Sequence, residues 1–300
     1  MWRSCSLAAT TLAAYRRALP LLRIPFSLYL MPVFWFGLSA MPRPFSEWRA
    51  LGVFLVLHGL AYPASNGYNS YYDRDEGSIG GLKHPPKVSA ELLHLVWLFD
   101  GLAVLGAASL SLPFAGLVVV YLLVSKAYSF EGIRLKKSPL ISTVVVVVFQ
   151  GAYTFLMTQV GVGASTAELL APTNLGLALV STIFLCGSYP LTQVYQHEED
   201  AQRGDLTLSL RLGIRGTFVW AGLALALGAA LLAFIYLQRH TPHHLLIFLA
   251  TTGPVVGLFG RWARAVWQDA AAADFEHTMR MNQVSSVCLS LAFVLMLLWP

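Results

Sequence analysis

The sequence predicts an all-α polytopic membrane protein with nine transmembrane helices. Three observations predict it. Hydrophobic residues make up 56% of the 300-residue chain, charged residues only 12%, and the mean hydropathy is +0.62; a soluble domain carries about 25% charged residues. The apolar residues gather in runs near the ~20 residues an α-helix needs to cross a bilayer. The basic residues concentrate in alternate connections between those runs. The chain reads as one integral-membrane domain, 1–300, with 1–20 as an N-terminal cytoplasmic or interfacial segment.

The first run, roughly 22–41, follows Tyr15-Arg16-Arg17. A signal peptide would end in a small-residue cleavage site instead, so a short interfacial helix leads into this span. The second run covers 50–68; the third and fourth, 92–111 and 113–130, are separated only by Ser111-Leu112-Pro113 and form a tight hairpin. Runs at 140–161, 174–195, 216–237, 243–262 and 283–299 complete the nine. Pro32, Pro63, Pro190 and Pro254 fall within runs, where proline kinks a helix and neighbours satisfy the freed carbonyl. With the N-terminus inside, inside segments hold 17 of the 20 Lys and Arg, and only Arg43, Arg49 and Arg239 lie outside. Basic residues favour the cytoplasmic side, so the N-terminus is expected in the cytoplasm and the C-terminus outside; in a bacterium the membrane would be the inner one. Topology thus accounts for the net charge of +5, and no nucleic-acid partner is expected. Cys5, Cys186 and Cys288 are too dispersed for a disulfide framework or a CxxC metal site.

Six of the 15 acidic residues stand in two clusters, each following an apolar run on the side expected to be cytoplasmic. The first is Asn69-Ser70-Tyr71-Tyr72-Asp73-Arg74-Asp75-Glu76; on a continuing helix Asn66, Asn69 and Asp73 share one face at i, i+3 and i+7. The second is Gln196-His197-Glu198-Glu199-Asp200, where Gln193, Gln196 and Asp200 repeat the spacing. Hard oxygen donors of this kind suit Mg²⁺, which binds through one or two carboxylates, water and substrate phosphates. The expected ligands are Asn69, Asp73, Asp75, Glu76, Gln196, Glu199 and Asp200, with Asp73 and Asp200 as the catalytic anchors. A glycine-rich stretch, Gly77 to Gly81, follows the first cluster and allows close backbone approach to phosphate. Lys83 beyond it can pair with phosphate charge. Two such clusters on one membrane face suggest a bridged metal–diphosphate site.

The chain resembles the UbiA superfamily of intramembrane prenyltransferases over nearly its full length. Asn69 and Asp73 match the first aspartate-rich motif, with Ser70 and Gly77 where the pattern often has Asp. Asp200, Gly204 and Thr207-Leu208-Ser209-Leu210-Arg211-Leu212-Gly213 match the second motif and its tail, with Gln196 in place of an Asp. Tyr128-Ser129-Phe130-Glu131-Gly132-Ile133-Arg134-Leu135-Lys136 matches a third signature, and Arg23-Ile24-Pro25 stands near the opening of the first span. The resemblance implies a UbiA-like helical bundle. It also implies transfer of a prenyl group from a prenyl diphosphate to a hydrophobic acceptor, such as an aromatic quinone precursor or another lipid. Mg²⁺ would assist departure of the diphosphate. Asn69, Lys83, Arg134, Lys136 and Tyr128 become the diphosphate-binding candidates.

Two other readings fit parts of the sequence. The substitutions Ser70, Gly77 and Gln196 fit a catalytically silent isoprenoid-binding member of the family. Asp100, a carboxylate inside the third run, is the feature that would favour a transporter.

Overall fold

The computed structural model describes residues 12–42 and 44–299. Arg3, Cys5, most of the expected interfacial segment, and Arg43 lie outside them. The described residues are 83% helical. Its long helices are α1 (Leu12–Ser39), α2 (47–73), α3 (Ala90–Leu110), α4 (Leu112–Ser129), α5 (Pro139–Val162) and α6 (Pro172–Leu191). A short α7 (His197–Arg203) precedes the long α8 (Leu208–Gln238), α9 (Pro242–Gln268) and α10 (Phe275–Leu298).

Among the described residues eight helices are long and apolar enough to cross a membrane. The ninth long helix, α2, is continuous from 47 to 73. Its polar ends, Glu47 and Arg49 at one and Asn66, Asn69, Ser70 and Asp73 at the other, set it apart from the eight. The nine expected runs therefore correspond to nine helices, with the least apolar one carrying the first acidic cluster.

The chain divides into two compact units, residues 1–28 with 51–134, and residues 29–50 with 135–300. In the first unit Leu21, Leu22, Tyr68, Ile79, Leu92 and Val96 form the core where α2 meets α1 and α3. Gly67 makes the crossing possible: a Cβ there would lie 2.7 Å from Leu22 and 2.9 Å from Val96. The 74–89 connection folds back through a small bridge in which Ile79 and Leu82 exchange backbone hydrogen bonds of 2.9 and 2.8 Å. Gly80 and Gly81 lie against the Phe26 ring, and a Cβ on Gly80 would come within 2.5 Å of it. These two glycines are thus explained by packing on Phe26.

In the second unit the core centres on Phe36, which stacks on Phe293 at 4.3 Å and meets Phe155 edge-on at 5.1 Å. Buried polar groups satisfy each other here. Gln159 donates to the Gly37 carbonyl (3.1 Å) and to Asn174 (2.9 Å), and Asn174 donates back to Gln159 (2.8 Å). Reciprocal pairing of this kind keeps amides inside an apolar bundle without the cost of an unmade hydrogen bond. Gly151, in a π-helical stretch of α5, sits against the backbone of Thr182 on α6, whose hydroxyl accepts from Ala152 N at 3.0 Å. π-segments such as this one and Leu55–Ala61 in α2 break the regular ladder and re-aim the helix beyond.

Candidate functional site

The first acidic motif is built as expected. Past the π-segment and Pro63, residues 62–73 run as regular α-helix, so Asn66, Asn69 and Asp73 share a face. Each is held from within the first unit. Asn66 donates to Ser27 Oγ at 3.3 Å, and its carbonyl accepts from Arg23 at 3.2 Å. Asn69 Oδ1 accepts from Ser129 Oγ at 2.7 Å. Asp73 has only 5% of its side chain exposed and stands 4.0 Å from Arg134. The helix stops at Arg74, a left-handed residue at φ +50°. Asp75 and Glu76 therefore leave the helical face on the connection, with Glu76 exposed and Lys83 exposed farther along.

Ser129 and Arg134 both come from the Tyr128–Lys136 signature. Arg134 is also left-handed, at φ +41°, with its N–H bonded to the Phe130 carbonyl at 2.6 Å. A non-glycine residue held there carries strain of about 1–3 kcal/mol. The turn that holds it directs a guanidinium to Asp73. Tyr128 is half-buried beside Ser129.

The second motif departs from the expectation. Gln193, Gln196 and Asp200 do not share a continuous helix. α6 ends at Leu191, one residue after Pro190; a turn and a 3₁₀ segment, Val194–Gln196, intervene before α7 starts at His197. Proline removes an N–H from the ladder and, near a helix end, lets the chain leave it. The i, i+3, i+7 match with the first motif is therefore one of sequence and not of helical face. Glu199 pairs with Arg203 at 3.4 Å along α7. Gly204, at φ +71°, closes the helix, and Asp205 N bonds to the Asp200 carbonyl at 2.9 Å. Gln196 and Asp200 are half-buried. His197 bonds to Ser209 at 2.7 Å, and Ser209 to Thr217 at 3.0 Å, which accounts for this histidine as a structural group.

Lys136 is buried and lies 3.3 Å from Asp205, itself 3% exposed. Its charge is matched by this carboxylate, which the sequence motifs do not single out. The available signal was its place just before the Thr207 cap, which accepts from Leu210 N at 3.2 Å. Gln193 was singled out only for its spacing. It is 7% exposed, and its Oε1 has no hydrogen-bond partner among the described residues. Asp100, the carboxylate within α3, lies 2.5 Å from Lys126 Nζ on α4, which also covers the rings of Tyr68 and Trp97 at 5.2 Å. This pairing accounts for it structurally.

Among the described residues no three His, Cys, Asp or Glu side chains gather closely enough to hold a metal alone. Mg²⁺ takes one or two carboxylates and completes its shell with water and substrate phosphate oxygens. Asp73 and Asn69, one turn apart on the same face, offer a donor set of that size, whereas Asp200 and Glu199, adjacent on α7, do not share a face.

Fold and sequence together define a multi-pass helical membrane protein. The chain belongs to the UbiA prenyltransferase family, whose model matches residues 29–284. No curated protein matches the sequence significantly. Solved structures share its fold. A UbiA homolog from Archaeoglobus fulgidus bound to GPP and Mg²⁺ superposes with a TM-score of 0.67 at 17% identity, covering 93% of this chain and 99% of that one. The apo UbiA homolog from Aeropyrum pernix K1 gives 0.69 at 14% identity, covering 91% and 98%. A digeranylgeranylglyceryl phosphate synthase gives 0.58 at 15% identity, covering 94% and 97%.

Proposed function

We propose that the protein is a Mg²⁺-dependent intramembrane prenyltransferase that moves a prenyl group from a prenyl diphosphate to a hydrophobic acceptor. The observation that carries this reading is the setting of Asp73. A carboxylate 5% exposed at a helix end faces an arginine 4.0 Å away from the family's own signature. The pair keeps an anion-binding cation and a metal-binding anion next to each other before substrate arrives.

In the proposed reaction the allylic C–O bond of the donor breaks and the diphosphate leaves with the electron pair. The acceptor then forms a bond to that carbon and loses a proton. Mg²⁺ supplies neutralisation of the diphosphate, which makes it a better leaving group. Asp73 and Asn69, and separately Asp200 and Glu199, would provide its protein oxygens; Asp75, Glu76 and Gln196 are further donors nearby in the chain. Arg134 stabilises charge on the departing oxygens. Tyr128 and Lys83 are further candidate contacts for the diphosphate. Lys136, matched by Asp205, holds its loop and contributes charge only if substrate displaces that carboxylate. The apolar helices exclude water from the allylic cation.

Support for Mg²⁺ and an allylic donor comes from the A. fulgidus homolog, which binds GPP with Mg²⁺ and, in another structure, DMAPP with Mg²⁺. The silent-member reading keeps one observation in its favour: Ser70, in place of a motif aspartate, is buried with its hydroxyl unpartnered among the described residues. Purified protein in lipid, given isotope-labelled prenyl diphosphates of several lengths and a panel of aromatic and lipid acceptors, separates the two. Labelled lipid-extractable product that requires Mg²⁺ is expected. Donor binding with no product across the panel would make the protein a silent member.

A further inference from the structure

We infer that a groove between α9 and α10 binds the phosphate of an anionic phospholipid, away from both acidic motifs in sequence. The groove, about 230 Å³, is lined by Leu258, Arg261, Trp262 and Ala265 on α9 and by His277 and Arg280 on α10. Its floor is apolar and its rims carry two guanidiniums. Arginine matches phosphate oxygens bidentately, and its stem lies easily along apolar surface.

Two of the three local carboxylates are engaged elsewhere, and the third, Glu276, stands exposed on α10 one turn before Arg280. Asp269 accepts from Ala271 N at 2.9 Å. Asp274 accepts from His277 N at 2.8 Å and pairs with its ring Nδ1 at 2.9 Å. Neither Arg261 nor Arg280 meets a carboxylate among the described residues. Trp262 is fixed between them, its indole N–H bonded to the Ala272 carbonyl at 2.8 Å and its ring parallel to His277.

The height of the groove selects the ligand. α9 has 27 residues, about 40 Å at 1.5 Å per residue, whereas the hydrocarbon core is about 30 Å thick. The helix therefore outruns the core, and the end that leaves it is the one carrying Arg261 and Arg264, because basic side chains are costly in hydrocarbon. Trp267, exposed, is at the same end, as tryptophan is at membrane interfaces. A charged rim over an apolar floor at this level fits a lipid headgroup better than a free anion.

The test is native mass spectrometry of the full chain released from nanodiscs containing phosphatidylcholine and graded phosphatidylglycerol. Wild type is expected to retain phosphatidylglycerol selectively. R261Q/R280Q should weaken that retention roughly 30-fold, because interfacial basic residues contribute about 1 kcal/mol each toward anionic lipid. R261K/R280K, which keeps the charge, should retain most of it. Equal retention of the two lipids by wild type, or unchanged selectivity in a folded R261Q/R280Q variant, would overturn the site. If the glutamine variant does not fold, the wild-type lipid ratio decides alone. Displacement of the lipid by millimolar inorganic phosphate would reassign the groove to free phosphate and overturn the lipid assignment.

Discussion

Asp73 and Asn69 show how a few hydrogen-bonding groups prepare an acidic motif. Asn69 is oriented by the Ser129 hydroxyl and Asp73 is balanced by Arg134. Losing the carboxylate is therefore expected to cost more than losing its support. Asp73→Asn should lower turnover by about 100-fold or more, the usual scale for removing one preorganised electrostatic contact. Ser129→Ala should lower it only several-fold, since Asn69 stays in place on its helix. Steady-state product formation under saturating donor checks both, and equal losses would contradict the assignment. Asp100 and Lys126 allow a stability prediction. Removing one partner of a buried ion pair leaves an uncompensated charge and costs about 3–5 kcal/mol, whereas replacing both by apolar groups is near neutral. Asp100→Leu should therefore lower the thermal unfolding temperature in detergent more than Asp100→Leu with Lys126→Met.

At the scale of elements, the close approach of α5 and α6 depends on Gly151. A Cβ there would lie 2.7–2.9 Å from Thr182 backbone atoms, while one at Gly101 meets nothing within 4 Å. Gly151→Ala should lower the unfolding temperature clearly. Gly101→Ala, in an open helical position, should leave it unchanged or slightly raised. The elements were largely legible from sequence, because a run long enough to cross a bilayer is a strong signal: the third run, 92–111, is Ala90–Leu110 in the structure. What was not legible is where a helix ends inside a polar stretch. The residues from Gln193 to Asp200 carry a helical spacing, yet Pro190 ends α6 at Leu191 and the chain re-enters helix only at His197. The glycines at 80 and 81 suit phosphate approach as well as they suit an aromatic ring, and only the fold reveals Phe26 beneath them. Ion pairs between distant segments, Asp73 with Arg134 and Lys136 with Asp205, leave no periodic trace in a sequence.

For the whole molecule, the composition, the eight apolar helices and the family agree on an integral multi-pass membrane protein. Its orientation is proposed from charge alone: 17 of 20 basic residues fall on connections assigned to the inside. Cysteines introduced singly at Glu131 and at His240, in a background with the native cysteines replaced, should label from opposite sides of the membrane. The 131 site is expected inside and the 240 site outside; labelling of both from one side would contradict nine crossings. The central claim is that each acidic motif serves the same Mg²⁺-dependent ionisation of a prenyl diphosphate. Pyrophosphate release by the purified wild type, Asp73→Asn and Asp200→Asn proteins, titrated with Mg²⁺, tests it most directly. The account predicts Mg²⁺-dependent release by the wild type and a fall of about 100-fold or more in each variant. Release that persists without Mg²⁺, or that either variant leaves intact, would contradict it.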